Sequence, residues 1–335
     1  MENKQSFVGI DVSKDTLDYS LVCDGQQVFH LKEENSIKGI KAFIKALSKK
    51  GIKDLSNSIF CLEHTGIYSN HLISFLTDNK LKIWLESPYQ IKKSLGLQRG
   101  KNDKIDSQRI AMYAYKNREE VKLWTPQRKE LQKLKQLTGV RKRLMKSINI
   151  LTVMFGEEAF YGTEIMKLTK QSTKASVKAL KEDLKEINKT ILEIIKQDDR
   201  LNELFKLVTS VNSVGQVTAT QIIIATNEFK SITEGKKFAC YCGVVPFEHS
   251  SGTSVRGKTR VSKMANMELK KSLHMAALSA IHYKGELQDF FLRKVAEGKN
   301  KMSVLNAVRN KLVLRVFACV RDNRAYERNY EYKAA

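Results

Sequence analysis

Four acidic residues stand where a metal-dependent phosphodiester chemistry could use them. Asp11 follows the apolar run Phe7–Ile10 in Gly-Ile-Asp-Val-Ser-Lys, and Glu63 ends Ile59-Phe-Cys-Leu, just before His64-Thr-Gly. Asp103 and Asp106 lie three apart in Arg99-Gly-Lys-Asn-Asp-Lys-Ile-Asp106, a spacing that projects both carboxylates from one face of a helix. Taken singly, an acid at a strand end is an ordinary turn or cap residue, and an Asp pair at a helix start favours the macrodipole. Taken together they suit Mg²⁺, a hard cation held by a few carboxylates with substrate phosphate completing its shell. Two such ions could stabilise both the attacking and the leaving oxygen of a phosphodiester.

A second chemical element is the loop Ser250-Ser-Gly-Thr-Ser-Val-Arg-Gly-Lys-Thr-Arg260. Gly252 and Gly257 allow close approach of the backbone to a phosphate, and Arg256, Lys258, Arg260 and Lys263 supply positive charge. A serine here could attack phosphorus and keep the cleaved strand end as an ester. On composition alone a phosphate-binding loop is the better reading, because no His or carboxylate is placed as a base beyond the adjacent His249.

The elements that must position these residues divide at proline. Pro88, Pro126 and Pro246 are the only three, each at a boundary. Before Pro126 the pattern gives strands at Phe7–Ile10, Leu17–Val22 and Gln27–Leu31, with Asp24-Gly25 as a hairpin turn. A helix capped by Ser36, a strand at Ser58–Leu62, a helix at Tyr68–Leu76 and a strand at Leu81–Leu85 follow. Three meandering strands and then alternating helices and strands are the order of a ribonuclease-H-like (RuvC-like) domain, assigned to residues 1–125. If its first and fourth strands are neighbours, Asp11 and Glu63 lie side by side.

Residues 126–207 read as helical. Val177, Leu180, Leu184, Ile187, Ile191 and Ile194 form a heptad seam, and Leu131, Leu134, Leu137, Val140, Leu144, Ile148 and Leu151 a similar stripe. Both a helical hairpin and an intermolecular coiled coil satisfy that pattern. Residues 208–335 are expected to be a helical domain with Pro246–Arg260 as a loop. Val211-Asn-Ser-Val-Gly-Gln-Val-Thr-Ala219 has a helix-hairpin-helix shape, although Val217 replaces the usual second glycine and a plain helix-turn-helix packing element fits as well. The fold class is therefore α/β plus all-α.

Lys and Arg number 59 against 36 Asp and Glu, a net charge of +23. So large an excess points to a polyanionic partner. It is clustered: eight basic residues against Glu130 between Pro126 and Ile150, and six against Glu268 between Ser251 and Met275. Arg99, Lys101, Lys104, Arg141, Lys142 and Arg143, with the four basic residues of the serine loop, are the candidate nucleic-acid contacts. Five cysteines form no paired zinc pattern. Cys240 and Cys242 read as core packing. No apolar run spans a bilayer and residues 1–6 do not read as a signal peptide, so a cytoplasmic protein without membrane contact is expected.

These motifs carry a resemblance. Gly9–Lys14, Glu63-His64-Thr65-Gly66 and Lys101–Asp106 are similar to those of DEDD-type insertion-sequence transposases (insertion sequence family 110), relatives of the Piv DNA invertases. The similarity continues in Tyr241–Pro246, Ser250-Ser251-Gly252 and Arg260–Asn266, with Ala265 where the family often has glycine. It implies Asp11, Glu63, Asp103 and Asp106 as metal ligands and Ser251 as the nucleophile, with Ser250 as the fallback. It also implies a structured non-coding guide RNA, donor and target DNA, and a homo-oligomer, dimer or tetramer. Two alternatives stand beside it: a Holliday-junction-resolvase-like nuclease in which metal-bound water attacks, and a non-enzymatic basic scaffold for RNA or DNA.

Overall fold

The computed structural model describes residues 5–327 apart from 53, 64–65, 95, 97–101, 252–254 and 263; at 249, 251, 255, 256 and 258 it describes the backbone alone. Two compact units result, Met1–Pro126 and Gln127–Ala335.

In the first unit β1 (Ser6–Val12), β2 (Thr16–Cys23) and β3 (Gln26–Glu34) form an antiparallel meander. Asp24 and Gly25 turn the second hairpin with φ of 50° and 78°, the left-handed pair a tight turn needs. Then come α1 (Ile37–Lys49), β4 (Ser58–Glu63), α2 (Asn70–Asp78), β5 (Lys82–Glu86), α3 (Pro88–Ser94) and α4 (Asp103–Lys116). Strand order is β3-β2-β1-β4-β5, with β4 parallel to both β1 and β5. The first and fourth strands are thus neighbours, as the element order predicts. The Ser36 hydroxyl accepts from the Gly39 N–H at 3.1 Å and caps α1.

Side chains alternate between two cores, as strand geometry requires. Val8, Ile10, Tyr19, Phe60 and Leu62 pack with Ile40, Phe43 and Leu47 of α1 and Leu72 and Leu76 of α2. Phe7, Ile59, Cys61 and Trp84 face the other way and pack with Ile110, Tyr113 and Ala114 of α4. Gly9 lies on this second face, and there α4 comes so close that a Cβ at residue 9 would stand 2.1 Å from the Ala111 nitrogen and 2.3 Å from the Ser107 carbonyl oxygen. The Ser20 and Ser107 hydroxyls meet at 2.8 Å beside it, both fully buried.

The second unit contains α5 (Lys129–Thr152), α6 (Glu158–Tyr161), α7 (Thr163–Gln197), α8 (Asp199–Ser210), α9 (Gln216–Ala225) and α10 (Gly235–Tyr241). After β6 (Pro246–Ser251) and β7 (Val255–Val261) follow α11 (Met267–His282), α12 (Glu286–Ala296) and α13 (Lys301–Arg321). Both heptad stripes are buried or half-buried. α5 and α7 pack on each other, and one apolar cluster takes Leu131, Leu134, Ile191 and Ile195 together with residues of α8 to α13. Arg128 anchors the entry to α5. Its guanidinium donates to both Asp198 carboxylate oxygens, at 2.7 and 2.9 Å, and to Glu228, which is 1% exposed. α8 and α9 are joined by a short turn in which Ser213 takes the positive φ (72°), while Gly215 is extended (φ −78°, ψ 171°).

One expectation is corrected. Residues 246–260 are not a plain loop in an otherwise helical region: β6 and β7 pair antiparallel, Phe247 with Arg260 and Ser250 with Arg256. Valine, threonine and phenylalanine tolerate the pleated backbone well, and the ladder satisfies peptide groups that a loop would leave to water.

The contact at Gly9 is directly testable. Gly9→Ala forces backbone against backbone, so α4 must move off β1. Loss of roughly 1–3 kcal/mol or more in urea unfolding is expected, and wild-type stability would show that the contact is slack.

Candidate active site

Asp11 lies within β1 rather than just beyond it, and Asp18 of β2 is its direct cross-strand partner. The parallel register pairs Ile10 with Leu62, so Asp11 and Glu63 continue the β1 and β4 ladder side by side on the α4 face. α4 supplies the other acids from its first turn, where the Asn102 side chain accepts from the Ile105 N–H at 2.8 Å as N-cap. Because α4 is pressed onto Gly9 at Ser107 and Ala111, its first turn lies over the end of β1 where Asp11 sits. The charges meet there. Burial first, and then the carboxylates of Asp103, Asp106, Glu63 and Asp18, push the Asp11 carboxyl up to about 6. The other three acids singled out in the sequence thus all bear on Asp11.

Asp18 is a fifth acid that the sequence reading missed. It is 3% exposed and accepts from His30 Nε2 at 3.0 Å, with Lys32 Nζ at 3.3 Å. Lys32 Nζ also donates to Asp103 at 3.2 Å, while Arg109 Nη1 donates to Asp106 at 2.8 Å. The signal for Asp18 was present: the turn between Val12 and Thr16 is so short that residues 11 and 18 must pair. Lys32 and Arg109 gave no such signal, since long basic side chains abound in this sequence. Deeper under α4, Tyr113 donates its hydroxyl to Glu86 at 3.0 Å.

Among the described residues no three His, Cys, Asp or Glu side chains converge tightly enough to hold a metal ion as they stand. The donor chemistry is nonetheless that of a hard divalent cation: carboxylate oxygens only, crowded enough to raise one of them, with Lys32 and Arg109 as internal counter-charges.

The candidate nucleic-acid contacts are placed unevenly. Lys104, Arg143 and Arg260 are exposed. Arg141 turns toward α7, donating from Nε to the Asn188 side-chain oxygen at 2.8 Å, and burial lowers its pKa. Lys142 pairs with Glu268 at 3.0 Å. Arg99, Lys101 and Lys263 lie outside the described residues, as do His64, Thr65 and Gly252. Of Ser251, Arg256 and Lys258 the backbone is described, in the β6–β7 ribbon. Ser250 is exposed on the same strand. No helix among the described residues is long and apolar enough to cross a membrane.

Comparison with known proteins gives the chain its relatives. A family model described as Transposase, for the DEDD transposases of IS110, matches residues 8–153. One described as Transposase IS116/IS110/IS902 family matches residues 205–292. The pilin gene-inverting protein of Moraxella bovis is 24% identical over 97% of this chain and 98% of its own length. That of Moraxella lacunata is 23% identical with the same coverage. A solved structure of Thermus thermophilus RuvC aligns with 36% of the chain at 11% identity and a TM-score of 0.26, too slight a likeness to carry weight. With one transposase model on each unit and relatives aligned from end to end, the chain belongs to the IS110 family of transposases and is a DNA transposase/recombinase.

Proposed function

We propose that the chain cleaves and exchanges DNA strands with two chemical halves, an acidic site made by Asp11, Glu63, Asp103 and Asp106 and a serine nucleophile, Ser251. The observation that carries the reading is the crowding of Asp11 by the other carboxylates at the end of β1. Such a cluster facing a polyanion would repel it, so Asp11, Glu63, Asp103 and Asp106 would hold divalent cations, Mg²⁺ and two per site. When bound, these would neutralise charge on the phosphodiester oxygens. Asp18, already satisfied by His30 and Lys32, positions Lys32 rather than binding metal.

The Ser251 hydroxyl loses its proton as its oxygen bonds to phosphorus, and the displaced DNA hydroxyl takes up a proton. The strand end is held as a phosphoserine ester. A hydroxyl of a second strand attacks that ester in the reverse sense and frees the serine, so bond energy is conserved and no ATP is needed. Exposed Lys104, Arg143 and Arg260 serve backbone contact. With the net charge of +23, they leave room for a structured non-coding guide RNA beside donor and target DNA. Assembly as a homo-oligomer is favoured by exposed apolar side chains near the ends of α5 and α7, Ile150, Val153, Phe160 and Leu168 among them.

The halves are separable by experiment. Ser251→Ala should abolish the covalent protein–DNA adduct on denaturing gels. Asp106→Asn should abolish cleavage while DNA binding stays equal or tightens, because negative charge near phosphate is removed. Strand cleavage by Ser251→Ala without adduct would instead assign attack to water, and normal recombination by Asp106→Asn would remove the metal-site assignment.

A second outcome follows from the raised Asp11. An acid whose folded pKa lies above its unfolded value stabilises the fold below the unfolded pKa, and that contribution is lost as pH rises through the folded one. Here the window runs from about 3.8 to about 6. In chelator, Asp11→Asn should lose this part of the pH dependence and be more stable than wild type at pH 7. Mg²⁺ should raise the melting temperature of wild type more than that of the variant. Equal pH profiles for both proteins would contradict the crowding.

A further inference from the structure

The second unit holds a cationic cluster that the chemistry above does not use. Arg309, on α13, is 6% exposed, and among the described residues no acid acts on it; burial alone lowers its pKa. Its Nη1 donates to the Asn306 side-chain oxygen at 3.2 Å and its Nη2 to His274 Nδ1 on α11 at 2.6 Å. Its Nε is buried with no hydrogen-bond partner. A guanidinium can only donate, so His274 Nδ1 must accept and the neutral imidazole carries its proton on Nε2. Burial and the Arg309 charge both keep His274 below its ordinary pKa. Lys270 stands one turn before His274 on the same helical face, and burial together with Arg309 lowers its pKa as well.

Two cations and an imidazole therefore share one half-buried place, with no carboxylate acting on them among the described residues. Burying unpaired charge is costly, and neighbouring like charges add to that cost. A guanidinium with a spare donor and an ammonium match a tetrahedral oxyanion, and His274 orients the guanidinium.

The position of the cluster identifies the anion. A Cβ on Gly243 would stand 3.7 Å from Lys270 Cδ, 3.6 Å from the Ser262 carbonyl oxygen and 2.4 Å from Ala265 Cβ. Asn306, the other partner of Arg309, donates to the Val244 carbonyl. The cluster thus borders both the segment entering β6 and the segment leaving β7. We propose that Arg309, Lys270 and His274 form a phosphate site at the root of the serine hairpin, gripping a backbone phosphate of the DNA strand on which the hairpin acts. Ser251 lies five residue steps along the strand from Pro246, roughly 16 Å, so the phosphate held is one flanking the cleavage point. This rests on the reading of the hairpin as the DNA-cleaving element.

The test uses the full chain without divalent cation, so that no cleavage occurs and binding is read apart from any adduct on Ser251. Lys270→Gln should bind a short DNA duplex roughly tenfold more weakly in fluorescence anisotropy. The slope of log affinity against log salt should become shallower by about one, and Lys270→Arg should restore both. In protein labelled with ¹⁵N at histidine, the duplex should shift the His274 imidazole resonance in wild type but not in Lys270→Gln. An unchanged affinity and slope for Lys270→Gln, at wild-type melting temperature, would overturn the proposal. So would a His274 shift produced by inorganic phosphate but not by the duplex, which would mark a site for a free anion. A parallel loss of melting temperature and affinity in His274→Gln and Lys270→Gln, not restored by Lys270→Arg, would reduce the cluster to a prop for the hairpin.

Discussion

The acidic site depends on a contact that contains no acid. A helix can approach a strand to backbone distance only where the strand residue has no side chain, and Gly9 provides that place. With α4 seated there through Ser107 and Ala111, its first turn has little freedom in where it can lie. Asp103 and Asp106 are delivered to Asp11 by the rigidity of one helix rather than by any attraction among the three. Attraction could not do it, since the groups repel. The apolar cluster of Phe7, Trp84, Ile110 and Ala114 and the buried Ser20–Ser107 pair hold the helix down against that repulsion.

The electrostatics invert the character of the molecule as a whole. A chain with a net charge of +23 gathers five carboxylates at one strand end and spends basic side chains to make that tolerable. Lys32 bridges Asp18 and Asp103, and Arg109 holds Asp106. A small, hard, doubly charged ion would compete with these long side chains on favourable terms, because such an ion can touch several oxygens at once.

Much of this was legible before the fold was known. The alternation in the first hundred residues, the Asp24-Gly25 turn, the Ser36 cap and the acids at strand ends and a helix start are local signals, each with a local cause. What could not be read is what depends on distant neighbours. Gly9 looks like any glycine in a strand until α4 is laid on it, and nothing in the sequence ties Lys32 to Asp103 or Arg109 to Asp106. The stripes on α5 and α7 were plain, but a stripe does not name its partner, and part of each is buried in the core of its own unit. The β6–β7 ribbon escaped because its Ser, Thr, Gly and Arg are the residues of loops; the ladder between the strands holds it, and a ladder leaves little trace in hydropathy. In the turn before α9 the left-handed position is taken by Ser213 and not by Gly215.

The ribbon bears on how such an enzyme can change. Among the described residues β6 and β7 form a sheet of their own with no third strand, and an isolated pair of strands is barely stable in water. Substitutions along it cost ladder bonds and little else, while the helical core beneath is untouched. Sequence and foldability are thereby uncoupled in this part of the chain: substitutions in the ribbon can accumulate without first surviving a folding defect. In the acidic unit the opposite holds, because the residues that place the acids are the same residues that hold the domain together, and drift there is confined.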